Sequence, residues 1–309
     1  MKKVGLTLLF LLILVPAILA VDVLIPVGPT VISFVALMKG EVESSIPIEV
    51  RFWKNFDQVN AELASEKFDI VVLPVSLGAN LYMKGADLRL VGVTLWKAFY
   101  IVTKDVKINT IEDLRGMDIY TPQGKGQTAD VLIRYLLNRH GMDTEKDVSI
   151  KYSSPQEIVA LLAKGVVNVA ILPEPFVTLS VQKSNASITL DLQQLWAEET
   201  GLPPRVPITG VFALGKSLQV IPLSICEAIN GIKKSALYAM SNPEHSSHLA
   251  VDYLGGMDEN ILKESLQRTL YEYRSVFEVK DEVTKYFEVV SSVAPQAMPE
   301  VPDENFFAK

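Results

Sequence analysis

Glu174 sits in Ala-Ile-Leu-Pro-Glu-Pro-Phe-Val, residues 170–177, between two prolines whose rings fix φ on either side. A carboxylate held this way loses little freedom when it meets a partner, so it suits recognition of a hydrogen-bond donor or a cation. Pro175 also fits the first turn of a helix, because it has no N–H to leave unsatisfied, and this places Glu174 at or near the N-cap. Capping alone would account for the residue type as well. A second stretch with chemical content is Gln123-Gly124-Lys125-Gly126-Gln127-Thr128. A glycine-rich turn entering a helix offers unpaired backbone N–H groups to a carboxylate, sulfonate, phosphate or polar heterocycle. It is not a nucleotide-hydrolysing phosphate loop. Ile119 stands where the first glycine of that pattern belongs, and Gly126 follows Lys125 where Ser or Thr is required. Ordinary turn geometry explains the glycines equally well.

Other reactive constellations are sparse. Cys226 is the only cysteine, which rules out an internal disulfide and any cysteine-built metal site. His245 and His248 lie three apart without an acidic partner signature and read as a solvated helix face; His140 falls at a helix end. No nucleophile elbow or zinc-protease spacing occurs. We therefore expect no catalytic residue, no metal and no cofactor. Asn185-Ala186-Ser187 matches a glycosylation acceptor, a pattern common by chance. The few aromatics fall at suggestive places: Trp53 and Phe56 after a strand, Trp96, Phe99 and Tyr100 in a connecting stretch, and Phe176 after the Pro-Glu-Pro turn. One or two could stack on a flat ligand.

The elements that must position these residues follow from a repeat. Residues 58–74 (QVNAELASEKFDIVVLP) and 157–173 (EIVALLAKGVVNVAILP) align without a gap at an offset of 99. Each copy is an amphipathic helix, a short turn and a β-branched run ending in Leu-Pro. The run is apolar at every position, as in a strand of a parallel sheet covered on both faces. Two α/β lobes are expected: residues 21–97 as the first part of lobe 1, 98–211 as lobe 2, and 212–309 as a mostly helical return to lobe 1 with a Pro-punctuated tail. Strands are predicted at 22–27, 48–53, 69–73, 89–95, 98–103, 117–121 and 148–152. Helices are predicted at 30–39, 55–66, 76–84, 127–139, 155–164 and 175–182, then at 221–241, 243–254, 258–267 and 278–291. Ligands of open α/β sheets bind beyond the carboxyl ends of the strands. The candidate ligand-facing residues are therefore Gly28, Pro29 and Thr30; Pro74, Val75 and Ser76; Gln123, Gly124, Lys125, Gly126 and Gln127; and Glu174, with Trp53 and Trp96 beside them.

The N-terminus predicts export. Lys2 and Lys3 precede an uncharged run from Val4, and Ala-Ile-Leu-Ala closes it at Ala20, the layout of a secretory leader over residues 1–20. The run to Val21 is also near the lower limit for a membrane anchor, so an uncleaved leader would tether the protein. Cleavage leaves 27 basic against 36 acidic side chains. That acidic balance gives no footprint for nucleic acid.

Residues 113–137 (DLRGMDIYTPQGKGQTADVLIRYLL) and 167–179 (VNVAILPEPFVTL) resemble the characteristic segments of the nitrate, sulfonate, taurine and thiamine-pyrimidine solute-binding proteins of ABC importers, and the resemblance runs over the whole mature chain. It implies a type II periplasmic-binding-protein fold, with two lobes of mainly parallel sheets joined by two hinge crossings. It also implies a periplasmic or other extracytoplasmic protein, expected as a monomer, that captures a small polar molecule and delivers it to a permease driven by a cytoplasmic ATPase. With Glu174 in the cleft and only Lys125 clearly nearby, the expected ligand is a thiamine-precursor pyrimidine or related heterocycle, with a sulfonate or nitrate as the alternative. A thiamine-pyrimidine synthase on the same fold is disfavoured by the single cysteine and the export signal. A ligand-sensing receptor domain is disfavoured by the lack of a signalling module.

Overall fold

The computed structural model describes residues 19–122 and 124–309; residues 1–18 of the expected leader, and Gln123, lie outside the described residues. The chain begins with β1 (Val21–Pro26), α1 (Val35–Met38), β2 (Ile48–Trp53), α2 (Phe56–Ser65), β3 (Ile70–Pro74), α3 (Val75–Met83) and β4 (Leu88–Lys97). It crosses into β5 (Phe99–Thr103), β6 (Asp118–Thr121), α4 (Thr128–Arg139), β7 (Ser149–Tyr152), α5 (Pro155–Ala163), β8 (Val169–Pro173), α6 (Phe176–Ser184), β9 (Ser187–Asp191) and α7 (Leu192–Thr200). It returns through β10 (Thr209–Leu214), α8 (Gly215–Val220), α9 (Pro222–Ser241), α10 (Pro243–Ala250), α11 (Glu259–Leu266), β11 (Leu270–Ser275) and α12 (Val276–Val293).

The strands form two sheets, ordered β11-β4-β10-β3-β1-β2 and β7-β6-β8-β5-β9. The sequence repeat occupies the same slot in each. In the first sheet β3 pairs in parallel with β1 and antiparallel with β10. In the second, β8 pairs in parallel with β6 and antiparallel with β5. Ile70 to Leu73 and Ala170 to Leu172 have no exposed surface, which is why neither run tolerates a polar residue. The reversed strands β10 and β5 are the first strands after each crossing. The result is a mixed α/β protein of two lobes, each with a mainly parallel sheet.

The crossings lie side by side. Val206 N–H donates to Trp96 O at 2.9 Å and Ile208 N–H to Leu95 O at 3.0 Å. Arg205 stacks its guanidinium 5.0 Å from the Trp96 ring centroid and pairs with Glu282 of α12 at 2.5 Å. Trp96 Nε1 donates to Glu272 O at 2.9 Å, so its indole is part of the hinge. α12 also ties the lobes together: Tyr286 meets Trp196 of α7 with ring centroids 6.3 Å apart.

Three sequence expectations need correction. The predicted helix 30–39 is a 3-10 turn, Pro29–Ser33, followed by the short α1, with Phe34 at φ −116° standing between them. The helix expected over 243–254 ends at Ala250, and a further 3-10 turn covers Val251–Tyr253. The late run of helices is interrupted by β11, whose Tyr271 and Tyr273 alternate inward and which pairs antiparallel with β4. Ser275 then starts α12 with a capping box to Glu278. β9 and α7 also lack a counterpart among the predicted elements.

Candidate ligand-binding site

A cavity of about 580 Å³ lies where the strand ends of both sheets meet the crossings. Four chain corners border it: Pro26 with Pro29 and Thr30, Pro74, Gly124 with Gln127 and Thr128, and Pro173 with Glu174. Trp53, Lys54, Asn55 and Phe56 supply a wall after β2, and Leu95, Ala98, Phe99, Ile208 and Thr209 of the crossings supply the floor. Its size and its largely apolar lining with a few polar groups are those of small-molecule sites.

The polar groups are mostly donors. Helices α3 and α4 begin at this cavity, their N-caps being Pro74 and Gln127, and neither start carries a side-chain cap. The first N–H of α3, on Val75, donates to Ile208 O at 3.1 Å, so the cavity offers an anion the N–H groups at the start of α4 and the positive ends of both helix dipoles. α2 differs, because Asn55 accepts from Gln58 N–H at 2.9 Å. Thr30, Thr128 and Thr209 add hydroxyls, and Thr128 is bonded to Tyr286 of α12 at 3.4 Å.

The glycine-rich turn is held from behind. Asp130 has no exposed surface; its Oδ2 accepts from Gly126 N–H at 2.8 Å, while Oδ1 accepts from Arg134 Nε at 2.8 Å and from the Tyr152 hydroxyl at 2.6 Å. Arg134 continues the network to Glu145 at 2.8 Å. Gly126 has φ +84°, and a Cβ there would stand 2.5 Å from Ala297 Cβ, so both conformation and space demand glycine. Lys125 is exposed and turns to Glu145 at 3.4 Å, so it does not border the cavity.

Glu174 borders the cavity, yet its carboxylate is engaged elsewhere. The N-cap of α6 is Pro175, and the Glu174–Pro175 peptide is cis. From one residue earlier, Glu174 Oε2 accepts from Thr178 N–H at 3.0 Å and Oε1 from Arg268 Nε at 2.6 Å. Burial pushes its pKa up, and the hydrogen bonds from Thr178 and Arg268 pull the other way. Arg268 belongs to the returning segment, so the contact crosses between lobes. The Tyr100 hydroxyl adds a bond to Arg268 O at 2.6 Å.

Of the residues singled out in the sequence, Pro29, Thr30, Trp53, Pro74, Gly124, Gln127 and Glu174 border the cavity. Gly28 borders an adjoining chamber. Val75 and Ser76 are buried in the first turn of α3 behind Pro74, and Trp96 is buried in the hinge. Gln123 lies outside the described residues. Sequence reasoning missed Lys54, Asn55, Leu95, Ile208 and Thr209. For Leu95, Ile208 and Thr209 the available signal was the crossing segments themselves, which border any cleft between the lobes they join.

Two lobes, two adjacent crossings and a cavity at facing strand ends define a type II periplasmic binding protein. Residues 33–207 match the family described as ABC transporter, phosphonate, periplasmic substrate-binding protein, and the chain belongs to that family. It is thus the substrate-binding component of an ABC transporter, working with a small-molecule ligand and the transporter's membrane and ATPase parts. A crystal structure of an ABC transporter protein from Parabacteroides distasonis aligns with a TM-score of 0.78 and 26% identity, covering 94% of this chain and 99% of that one. The periplasmic aliphatic sulphonate binding protein SsuA from Escherichia coli aligns with a TM-score of 0.76 and 17% identity, covering 94% and 92%. A putative nitrate transport protein from Thermoplasma volcanium has the same fold, with a TM-score of 0.57 and 16% identity over 90% and 94%. No curated protein sequence matches. Among the described residues, no helix is long and apolar enough to cross a membrane, and no group of three or more potential metal-ligating side chains occurs.

Proposed function

We propose that the protein captures a small ligand with an oxyanion head, of phosphonate or sulfonate type, and an apolar body, and that closure of the lobes around it precedes delivery to the permease. The observation that carries this reading is the polarity of the cavity. Its polar lining comprises the start of α4, the hydroxyls of Thr30, Thr128 and Thr209 and the amides of Asn55 and Gln127, Lys54 is its cation, and its one carboxylate among the described residues, Glu174, already accepts from Thr178 and Arg268. Donors without a competing free carboxylate favour an anion. The family description and the sulphonate-binding relative agree with such a head group. A ligand touching both lobes stabilises the closed arrangement by its differential affinity for it.

The aromatic wall favours a second reading, a thiamine-precursor aminopyrimidine. Trp53 and Phe56 lie with ring centroids 6.0 Å apart, and Phe99 adds a third ring. A flat heterocycle would stack there, but its amino group would have to share Glu174 with Arg268. Calorimetric titration with methylphosphonate, an alkanesulfonate, nitrate and an aminopyrimidine separates the readings. Saturable binding of the phosphonate or sulfonate is expected. Binding of the aminopyrimidine alone would overturn the anion reading.

A further inference from the structure

Gln193, in the first turn of α7, is a polar side chain with no exposed surface, and it is bonded to the backbone of Ala98 and Phe99, which form part of the cavity floor. Its amide uses its full hydrogen-bonding capacity in this one place. Oε1 accepts from Ala98 N–H at 3.2 Å and from Phe99 N–H at 2.9 Å, and Nε2 donates to Phe99 O and to Asp191 Oδ1, each at 2.8 Å. The cause is an early strand end. β9 runs beside β5 only as far as Asp191, opposite Tyr100, where α7 begins. Phe99 is therefore without a backbone partner on that edge, and on the other edge it faces Pro173, which has no N–H to donate. The Gln193 amide gives Phe99 one acceptor and one donor, the two-bond pattern of an antiparallel hydrogen-bonded pair. A side chain thus serves as the last rung of the sheet.

The rung stands where the chain changes lobes. Lys97 still pairs with Leu270 of β11, and Trp96 O accepts from Val206 N–H of the returning crossing at 2.9 Å. Ala98 is held by lobe 2 on both sides, its N–H donating to Gln193 and its carbonyl accepting from Glu174 N–H at 2.8 Å. The Lys97 ammonium reaches Asp191 at 2.6 Å, the carboxylate that also accepts from Gln193. The bend of the first crossing is confined to the link between Lys97 and Ala98. We infer that Gln193 is a positioning residue for ligand binding: it fixes this pivot and keeps the Ala98–Phe99 floor in register with the Glu174 turn as the lobes close. It does not border the cavity and acts through Ala98 and Phe99. The role holds for any occupant of the cavity, and only the choice of probe rests on the oxyanion reading.

The test compares Gln193→Met, which keeps the length of the side chain and removes its hydrogen bonds, with Leu195→Ala on the same helix. Leu195 packs against the core and does not border the cavity. Thermal unfolding reads the stability each variant loses, calorimetry with methylphosphonate and an alkanesulfonate reads affinity, and amide hydrogen exchange reads local protection. Gln193→Met should bind about fivefold more weakly or worse, with exchange accelerated at Ala98 and Phe99 relative to the rest of β5. Leu195→Ala should lose stability with its affinity unchanged. Gln193→Glu, which keeps the acceptor for both N–H groups and removes the donor to Phe99 O, gives the same comparison should Gln193→Met fail to fold. If the Gln193 variant loses no more affinity than Leu195→Ala, Gln193 only stabilises α7 and the positioning role is overturned. If neither anion binds the parent protein, the oxyanion reading fails and exchange alone decides: unaltered rates at Ala98 and Phe99 would then remove the rung.

Discussion

Arg268 Nε lies 2.6 Å from Glu174 Oε1 across the seam between the lobes, and the Glu174 side chain has no exposed surface. The acid pinned by two prolines thus serves first to bind the protein to itself. Arg268→Gln leaves a buried carboxylate without its charge partner, and a loss of about 3 kcal/mol in unfolding free energy is expected from broken buried pairs. The double variant Glu174→Gln/Arg268→Gln should recover part of that loss. Urea unfolding of the parent and the two variants measures both effects, and equal stability of all three proteins would remove the clasp from the account.

Phe56 is different, being half-exposed at the cavity wall beside Trp53. Phe56→Ala should change stability by no more than about 0.5 kcal/mol. Ligand affinity should fall by about 1 kcal/mol, roughly fivefold, through the lost ring contact. Calorimetry beside thermal unfolding separates the two, and unchanged affinity would exclude Phe56 from ligand contact.

Gly126→Ala places a Cβ against Ala297 in a backbone conformation with φ +84°. Destabilisation of more than about 1 kcal/mol is expected. Because Gly126 leads into the start of α4, ligand affinity should fall with it; an affinity retained in full would show that the turn does not position donors.

Asp130→Asn keeps the shape of the side chain that holds Gly126 but removes its charge, leaving Arg134 with Glu145 as its acidic partner. Affinity is expected to drop several-fold with the ligand unchanged in stoichiometry. Amide hydrogen exchange at Gly126, slow in the parent and faster in the variant, reads the mechanism directly.

Glu145 gives a pH signature. The Arg134 hydrogen bond, and then that of Lys125, hold its carboxyl below the usual range. A carboxylate with a depressed folded-state pKa contributes stability above its unfolded value and loses it as pH falls through the folded one. The stability difference between the parent and Glu145→Gln should therefore be constant from neutral pH down to the ordinary glutamate range and vanish below it. A difference that grows on acidification would contradict the assignment.

The sequence made the two-lobe plan readable because the repeat carries its own topology: a fully apolar strand after an amphipathic helix has few places to go, and β3 and β8 sit in equivalent slots. The strand-end corners were readable for the same reason, since Pro74 and Pro173 end those strands and border one cavity. The fate of Glu174 was not readable. Its partner Arg268 is far along the chain, in a stretch whose local pattern is helical, and nothing near Glu174 distinguishes a carboxylate facing a ligand from one facing an arginine. β11 was hidden because a short amphipathic edge strand between two helices, Leu-Tyr-Glu-Tyr-Arg-Ser, has too few residues for its alternation to stand out. Leu95, Ile208 and Thr209 were missed because connecting segments were read as links between walls, whereas they form the floor.

The paired crossings have a mechanical consequence. Two backbone segments joined by hydrogen bonds at Leu95 and Trp96, with Arg205 layered on the indole, behave as a leaf spring. Such a strip flexes easily about the line across its flat side and resists shear and torsion, because those would stretch the bonds between its plies. The jaws of this molecule therefore have one soft coordinate, and the same faces return into register on every stroke.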